Sequence, residues 1–360
     1  MRINILTQPL YLNYGGILQN YALQEVLRRM GHETLTLNVP PRAPGKNVVW
    51  KDLIKSGINL YKKVKGIYPY PYLSPYKNFV RQHEFSKPLG KFIEDHIAKV
   101  DVNAPFTSQT ATDYPADAWI VGSDQVWRPW CSPYIENCFL DFIPDDGTKR
   151  IAYAASFGTD KWEISPEKTE IIEPLAKKFD DISVREDSGV KLAKEYLNVD
   201  TTHVLDPTLL LSAEDYMALI PKEFLKKDGL KLTTYILDPN PEKVKEVKKM
   251  EKQFRFKAKK AGKMHKERLE SVEEWLADFV TADYIITDSF HGTAFSIIFD
   301  KPFKVLNNPL RGNARIESLL SLIPNIPNED GFNVNLDTQM GRIKELKEIS
   351  LNWLKNSFIN

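Results

Sequence analysis

Cysteine is nearly absent from this chain: Cys131 and Cys138 are its only two in 360 residues. Two cysteines cannot form the framework of a disulfide-stapled fold, and no Cys-x-x-Cys or Cys/His cluster offers a zinc site. A reducing compartment is therefore expected. A dominant sign of charge is missing too. With 49 Lys+Arg against 48 Asp+Glu the net charge is +1, so no global field steers the chain toward nucleic acid or a membrane. No apolar run approaches the roughly 20 residues of a membrane span. The opening stretch, Met1-Arg-Ile-Asn-Ile-Leu-Thr7, reads as a short strand rather than a signal-peptide core, so a cytoplasmic protein is expected. Repeats and low-complexity tracts are also absent. What remains is an ordinary globular composition, 42% hydrophobic and 27% charged, on a chain long enough for two domains.

The periodicity predicts an α/β protein. Ile3–Leu6 reads as a strand, Gly15-Gly16 opens a helix running to about Met30, Gly31 suits a left-handed cap, and Thr34–Leu37 makes the next strand. Residues of roughly 40–115 read as an irregular insertion. The alternating prolines and tyrosines of Ile67–Tyr76 favour an extended excursion there, with tyrosines that either stack on sugars or pin the loop. Short apolar runs at 118–121, 150–154, 181–184 and 202–205 then read as buried parallel strands, the last three separated by helices near 166–179 and 186–197. A second alternating block follows: strand 231–237, helix 241–253, strand 254–258, helix 271–280, strand 283–287, helix 291–299 and strand 303–306. The boundary is expected near 207–229, which divides the chain into domains 1–211 and 212–340. A final helical segment is expected over 341–360; by analogy with similar two-domain folds it would pack back on the first domain.

The most telling stretch is Asp283–Phe299. An apolar strand enters the polar turn Asp288-Ser289 and an apolar helix starts at once, with His291 and Gly292 at the junction. Such a junction aims unpaired backbone N–H groups and the positive end of a helix dipole at whatever binds. An imidazole there suits an anionic reactant, although it could equally cap the helix or hydrogen-bond in the core.

Five segments occur in one order along the chain: Asn13-Tyr-Gly-Gly-Ile-Leu-Gln-Asn-Tyr-Ala-Leu23, Ile120-Val-Gly-Ser-Asp-Gln-Val-Trp127, Ser183-Val-Arg-Glu186, Leu205-Asp-Pro-Thr208 and the His291 junction. Together they resemble the polysaccharide pyruvyl transferase family, over roughly residues 1–320. The resemblance implies two Rossmann-like domains facing a cleft, similar to GT-B glycosyltransferases. It also implies transfer of the three-carbon unit of phosphoenolpyruvate to a sugar, with no metal or organic cofactor beyond that donor. His291 matches the family histidine linked to donor binding. Better-characterised members carry an arginine two residues earlier, where this chain has Ser289. The loss of a bidentate anion contact there means that another arginine supplies it or that the donor differs.

The residues permit an independent reading. Transfer from phosphoenolpyruvate needs cations and N–H groups for a phosphate and a carboxylate, an acid for the methylene carbon and a base for the sugar hydroxyl. Arg185 directly follows a strand at its ligand-binding end and is a donor candidate; the alternative is an ion pair with Glu186 or Asp187. Arg311 and Arg315 follow the strand at 303–306; one of them could replace the missing arginine, or they could simply lie on the surface. Asp124, after Gly122 and beside Gln125, is the candidate base for an acceptor hydroxyl, or else caps a turn. Ser156, at the end of the segment Tyr153–Gly158, could touch a ligand or simply pack. His291 with Asp124 would be the catalytic pair, and Arg185, Ser289, His291, Gly292 and Arg315 the donor site. In the GT-B-like arrangement that the resemblance implies, Asn13, Gly15 and Gly16 would face the acceptor with Gln19 as a helper, and Gln125 beside Asp124 suits its hydroxyls.

Two other classes compete: a GT-B glycosyltransferase using a nucleotide sugar, and a non-catalytic glycan-binding protein on the same fold. The expected partners are a small-molecule donor and a saccharide acceptor, which a lipid could carry; nucleic acid is not expected. Residues 241–268 hold a basic excess of about +8, interleaved with Phe254 and Phe256. That stretch is either a solvated helix face or a contact with an anionic glycan, lipid pyrophosphate or the inner face of the membrane.

Overall fold

A computed structural model describes residues 1–41, 82–227, 229–254, 257–262, 268–308, 311–322 and 340–359. Its strands form two parallel sheets. The first contains β1 (Arg2–Leu6), β2 (Glu33–Asn38), β3 (Lys99–Asp101), β4 (Ala118–Val121), β5 (Lys149–Ala155), β6 (Asp181–Val184) and β7 (Thr202–His203), in the spatial order β3-β2-β1-β4-β5-β6-β7. The second contains β8 (Lys231–Tyr235), β9 (Lys257–Lys260), β10 (Tyr284–Thr287) and β11 (Phe303–Val305), ordered β11-β10-β8-β9. The described helices are α1 (Tyr14–Arg29), α2 (Lys87–His96), α3 (Ser108–Asp113), α4 (Pro166–Ala176), α5 (Asp187–Leu197), α6 (Ala213–Met217), α7 (Pro241–Phe254), α8 (Val272–Val280), α9 (Phe290–Ile298), α10 (Ala314–Ser321) and α11 (Met340–Asn356).

The strand orders locate the ligand ends. In the first sheet the order reverses between β1 and β4, and in the second between β8 and β10. Open parallel sheets bind ligands beyond the carboxyl ends of strands at such reversals, because the chain leaves in opposite directions and opens a crevice. The motif after β1, the Gly122–Gln125 turn after β4 and the His291 junction after β10 all stand at these two points.

One apolar core links the sheets. A single cluster of buried side chains runs from Ile3, Ile5 and Leu18 to Trp275, Phe279 and Phe295. Tyr14, in the first turn of α1, stacks on Trp275 of α8 at 5.5 Å and donates its hydroxyl to the Glu270 carbonyl at 2.7 Å. Helix α8 begins in a capping box, Ser271 with Glu274, which satisfies N–H groups otherwise left orphaned. The last helix, α11, lies against the first sheet: Trp353 meets Tyr153, and Ser350 accepts from the Leu205 amide.

Some expectations change. Residues 82–115, expected to be irregular, contain α2, β3 and α3. Leu89, Phe92 and Ile93 give α2 a buried face at helical spacing. Strand β3 is only Lys99-Val-Asp101, none of it fully buried, so its pairing with β2 leaves no hydrophobic signature. The strand expected at 202–205 pairs only over Thr202–His203, and the one expected at 254–258 lies at Lys257–Lys260. The Ile67–Tyr76 excursion, Phe256 and part of the basic stretch lie outside the described residues.

Candidate functional site

The two crevices meet around an imidazole. Helix α9 starts at the Ser289 cap, whose side chain accepts from the Gly292 amide, and His291 sits in its first turn. Gly292 presses against Thr287, whose hydroxyl would overlap any added Cβ, so the helix starts hard against its strand. Asp288 ties this junction to the exit of β8. It accepts from the Leu237 amide at 2.7 Å, from Lys243 Nζ at 2.6 Å and from Asn308 at 3.0 Å. Across the gap, the first turn of α1 comes so close that a Cβ on Gly15 would run into the His291 ring. Glycine is required at that position by contact, not by backbone angle.

The first sheet supplies the charges. Gly122 has φ +121° and lies against the Tyr153 carbonyl, and Asp124 has φ +68°. Beside them β5 shifts register between Ala152 and Ala155, with Ala154 at φ +49°. Left-handed backbone at non-glycine residues costs about 1–3 kcal/mol each and persists where its surroundings hold it. Here Ser123 does the holding: its hydroxyl lies 2.9 Å from the Ala154 carbonyl and 3.2 Å from Asp206 Oδ2, and its amide donates to Gln19 Oε1 at 3.0 Å. Gln19 is thus part of the scaffold under the turn.

Arg185 leaves β6 into the same space. Its guanidinium donates to Asp206 at 2.6 Å and to Asp124 at 3.3 Å, and lies over the Phe290 ring at 4.5 Å. The partners are therefore not Glu186 or Asp187: β7 and the turn after β4 bring two distant carboxylates closer than the neighbours in sequence. Asp206 also accepts from the amide and hydroxyl of Thr208, at 3.0 and 2.7 Å. Asp124 accepts from Asn13 at 3.3 Å. Arg315, on α10, is 6% exposed, so it lies inside the cluster and not on the surface, and it donates to the Arg311 carbonyl at 3.1 Å. Arg311 itself is spent on Asp238 at 2.5 Å.

Burial sets the protonation states. It pushes the His291 imidazole below its usual range against the pull of Asp206 and Asp124, with Arg185 and Arg315 adding to the fall. Burial alone would raise Asp124 and Asp206, but Arg185 and then His291 outweigh it and both carboxyls sit below their usual range. Burial also works against Arg185, yet Asp206 and Asp124 hold it above normal. Arg315, buried and facing Arg185, is lowered to about 10 and remains charged at neutral pH. Two guanidinium groups thus face Asp124, Asp206 and Glu186 within one buried cluster.

Four buried polar atoms here have no hydrogen-bond partner: Arg185 Nε, Arg315 Nε, His291 Nε2 and Glu186 Oε2. His291 Nε2 stands 3.9 Å from Asp206, outside hydrogen-bond range. Leaving such groups unpaired costs about 1–3 kcal/mol apiece, more when charged. The other oxygen of Glu186 is fully used, accepting from Ser156 Oγ and the amides of Phe157 and Gly158 at 2.8–3.2 Å.

His291, Arg185, Asp124 and Arg315 are thus brought together, with Asn13 and Gly15 touching them. Ser289, Gly292, Gly16 and Gln125 stand one step back: Gly16 packs under the Asn13 amide, and Gln125 accepts from Arg128 at 3.0 Å. Ser156 binds Glu186. In the sequence Asp206 stands out only as part of a motif and Glu186 only as a possible partner of Arg185, and nothing there marks Arg128, which bridges Glu163, Gln125 and the Arg311 carbonyl. A separate groove of about 620 Å³, lined by Tyr11, Asn38, Ser86, Lys99 and Asp101 among others, contains none of the clustered charges.

The sequence model of a family described as polysaccharide pyruvyl transferase matches residues 13–309. A Listeria monocytogenes protein assigned as a UDP-N-acetylglucosamine 2-epimerase superposes with a TM-score of 0.51 at 9% identity, over 99% of this chain and 90% of that one. That likeness speaks for a GT-B-like fold alone. The S. aureus MnaA structure with UDP gives 0.48 at 12% identity, over 99% of this chain and 91% of that one. No curated protein sequence matches significantly. Among the described residues no helix is long and apolar enough to cross a membrane.

Proposed function

The chain belongs to the polysaccharide pyruvyl transferase family, and we propose that it moves the three-carbon unit of phosphoenolpyruvate onto a sugar of a polysaccharide precursor, closing it as a pyruvate ketal. The observation that carries this reading is the set of four unpartnered buried atoms on Arg185, Arg315, His291 and Glu186. Three can donate and one accepts, and they lie within electrostatic reach of one another. A small dianion with a transferable proton fits that set.

The reaction balances as follows. The methylene carbon takes a proton and the central carbon becomes cationic. A sugar hydroxyl adds there and gives up its proton, phosphate departs with the carbon–oxygen electron pair, and a second hydroxyl closes the ketal with loss of another proton. Arg315 and the α9 N-terminus hold the phosphate, and Arg315 stands in for the guanidinium that Ser289 lacks. His291, protonated as the dianion arrives, supplies the proton to the methylene carbon. Asp124 takes the hydroxyl proton: both its side-chain contacts are long, 3.3 Å, whereas Asp206 is bound at 2.6–3.2 Å and serves as scaffold. Arg185, with both carboxylates on it, positions Asp124. Residues 1–211 form the acceptor side and 212–340 the donor side, and entry of the donor requires the facing helix ends to part.

Calorimetry tests the donor. Phosphoenolpyruvate binding is expected to take up a proton, because a bound phosphate raises the pKa of an imidazole that burial holds low. Affinity should therefore fall as pH rises, by up to about tenfold per unit, in the window between the free and bound pKa values. His291→Ala should abolish the proton uptake, and Arg315→Met should weaken binding about 10–100-fold. Binding of uridine diphosphate with none of phosphoenolpyruvate would move the chain to nucleotide-sugar chemistry. Sugar binding without turnover would make it a glycan-binding protein.

A further inference from the structure

Trp130 is 66% exposed, whereas the other described tryptophans are buried or half-buried. Indoles are usually well covered, although a single exposed one needs no explanation by itself. Its setting is what matters. The Arg128 guanidinium lies 5.3 Å from the ring centroid, while that arginine is itself locked by Glu163 at 2.9 Å, Gln125 at 3.0 Å and the Arg311 carbonyl at 3.1 Å. The loop is equally fixed. The amides of Cys131 and Ser132 both donate to the Arg128 carbonyl at 3.0 Å, and Ser132 binds the Val126 carbonyl and Gln8. The same arginine ties the loop to the site, because its partner Gln125 is the chain neighbour of Asp124. An indole on a fixed loop, backed by a cation and open to solvent, therefore stands at the rim of the site, on the side of the proposed base.

We propose that Trp130 is the stacking platform for a sugar ring of the saccharide acceptor. An indole face suits the apolar C–H face of a pyranose, and a pre-ordered ring sacrifices little entropy on binding. Arg128, held by Glu163, is the positioning residue behind the ring. Only the identity of the ligand as a saccharide rests on the pyruvyl transfer reading.

The test titrates chitotetraose, galactotetraose and mannotetraose into wild type, Trp130→Phe and Trp130→Leu, following red-edge tryptophan fluorescence and iodide quenching, with calorimetry for affinity. At least one sugar should shield Trp130 in the wild type. Trp130→Phe should keep most of the affinity, and Trp130→Leu should lose about fivefold or more with an unchanged melting temperature. Equal affinity in Trp130→Leu, or no shielding of Trp130 by any of the three sugars, overturns the proposal. Phosphoenolpyruvate is titrated in parallel and should bind Trp130→Leu as it binds wild type. If it binds neither protein while a sugar still shields Trp130, the platform stands and the donor reading falls.

Discussion

Asp206→Ala is expected to destabilise the protein by about 3–5 kcal/mol, the usual consequence of removing one partner from a buried ion pair. The guanidinium left behind, Arg185, has a side chain only 1% exposed and cannot turn to water. Its remaining carboxylate, Asp124, sits at 3.3 Å, and the turn around Thr208 loses two more acceptor contacts. Chemical denaturation will read the loss directly. Asp206→Leu combined with Arg185→Met should recover most of it, because matched apolar groups remove both desolvation costs. Failure of the double variant to recover would mean that the Thr208 and Ser123 contacts, not the charge pair, dominate. The pH dependence has a definite sign. Folding lowers the Asp206 and Asp124 pKa values, so their stabilisation is complete above the unfolded value of about 4 and is lost as acid passes below it.

Gly15→Ala carries the second large effect. The new methyl would occupy the position of the His291 ring, so either the imidazole rotates away or the two sheets separate. Overpacking of this kind costs about 1–3 kcal/mol. If His291 is the proton donor of the proposed reaction, its displacement by an ångström or so is expected to cut phosphoenolpyruvate affinity and turnover about 100-fold. Gly15→Ala with His291→Ala should regain the melting temperature while remaining inactive, which separates the steric effect from the chemical one. A Gly15→Ala enzyme with unchanged donor affinity would show that the histidine does not need its position in this closed arrangement.

How much of this was legible beforehand depended on the range of the signal. Strands β4 and β5 were readable because residues buried on both faces leave unbroken apolar runs. Strand β3 was not, since it has one apolar residue and forms only by pairing with β2. Helix α2 was hidden within a region dominated by prolines, although Leu89, Phe92 and Ile93 carried its period.

The site divides in the same way. His291 was legible because a strand, a capping serine and a helix start lie within a few residues of it, and local backbone chemistry shows in local sequence. Arg185 was legible as a charge at a strand end, but its partners were not. They are Asp124 and Asp206, 61 and 21 residues away. Asp206, Glu186 and Arg128 acquire their roles only from contacts made at long range. By itself the sequence determined the alternation of strands and helices, the family and the histidine junction, because periodicity, turn residues and motif order are properties of neighbours. Only the tertiary structure decided which charges share one low-dielectric space, which of them remain unpartnered and that Gly15 abuts His291, because those facts depend on two sheets closing over residues that the chain keeps far apart.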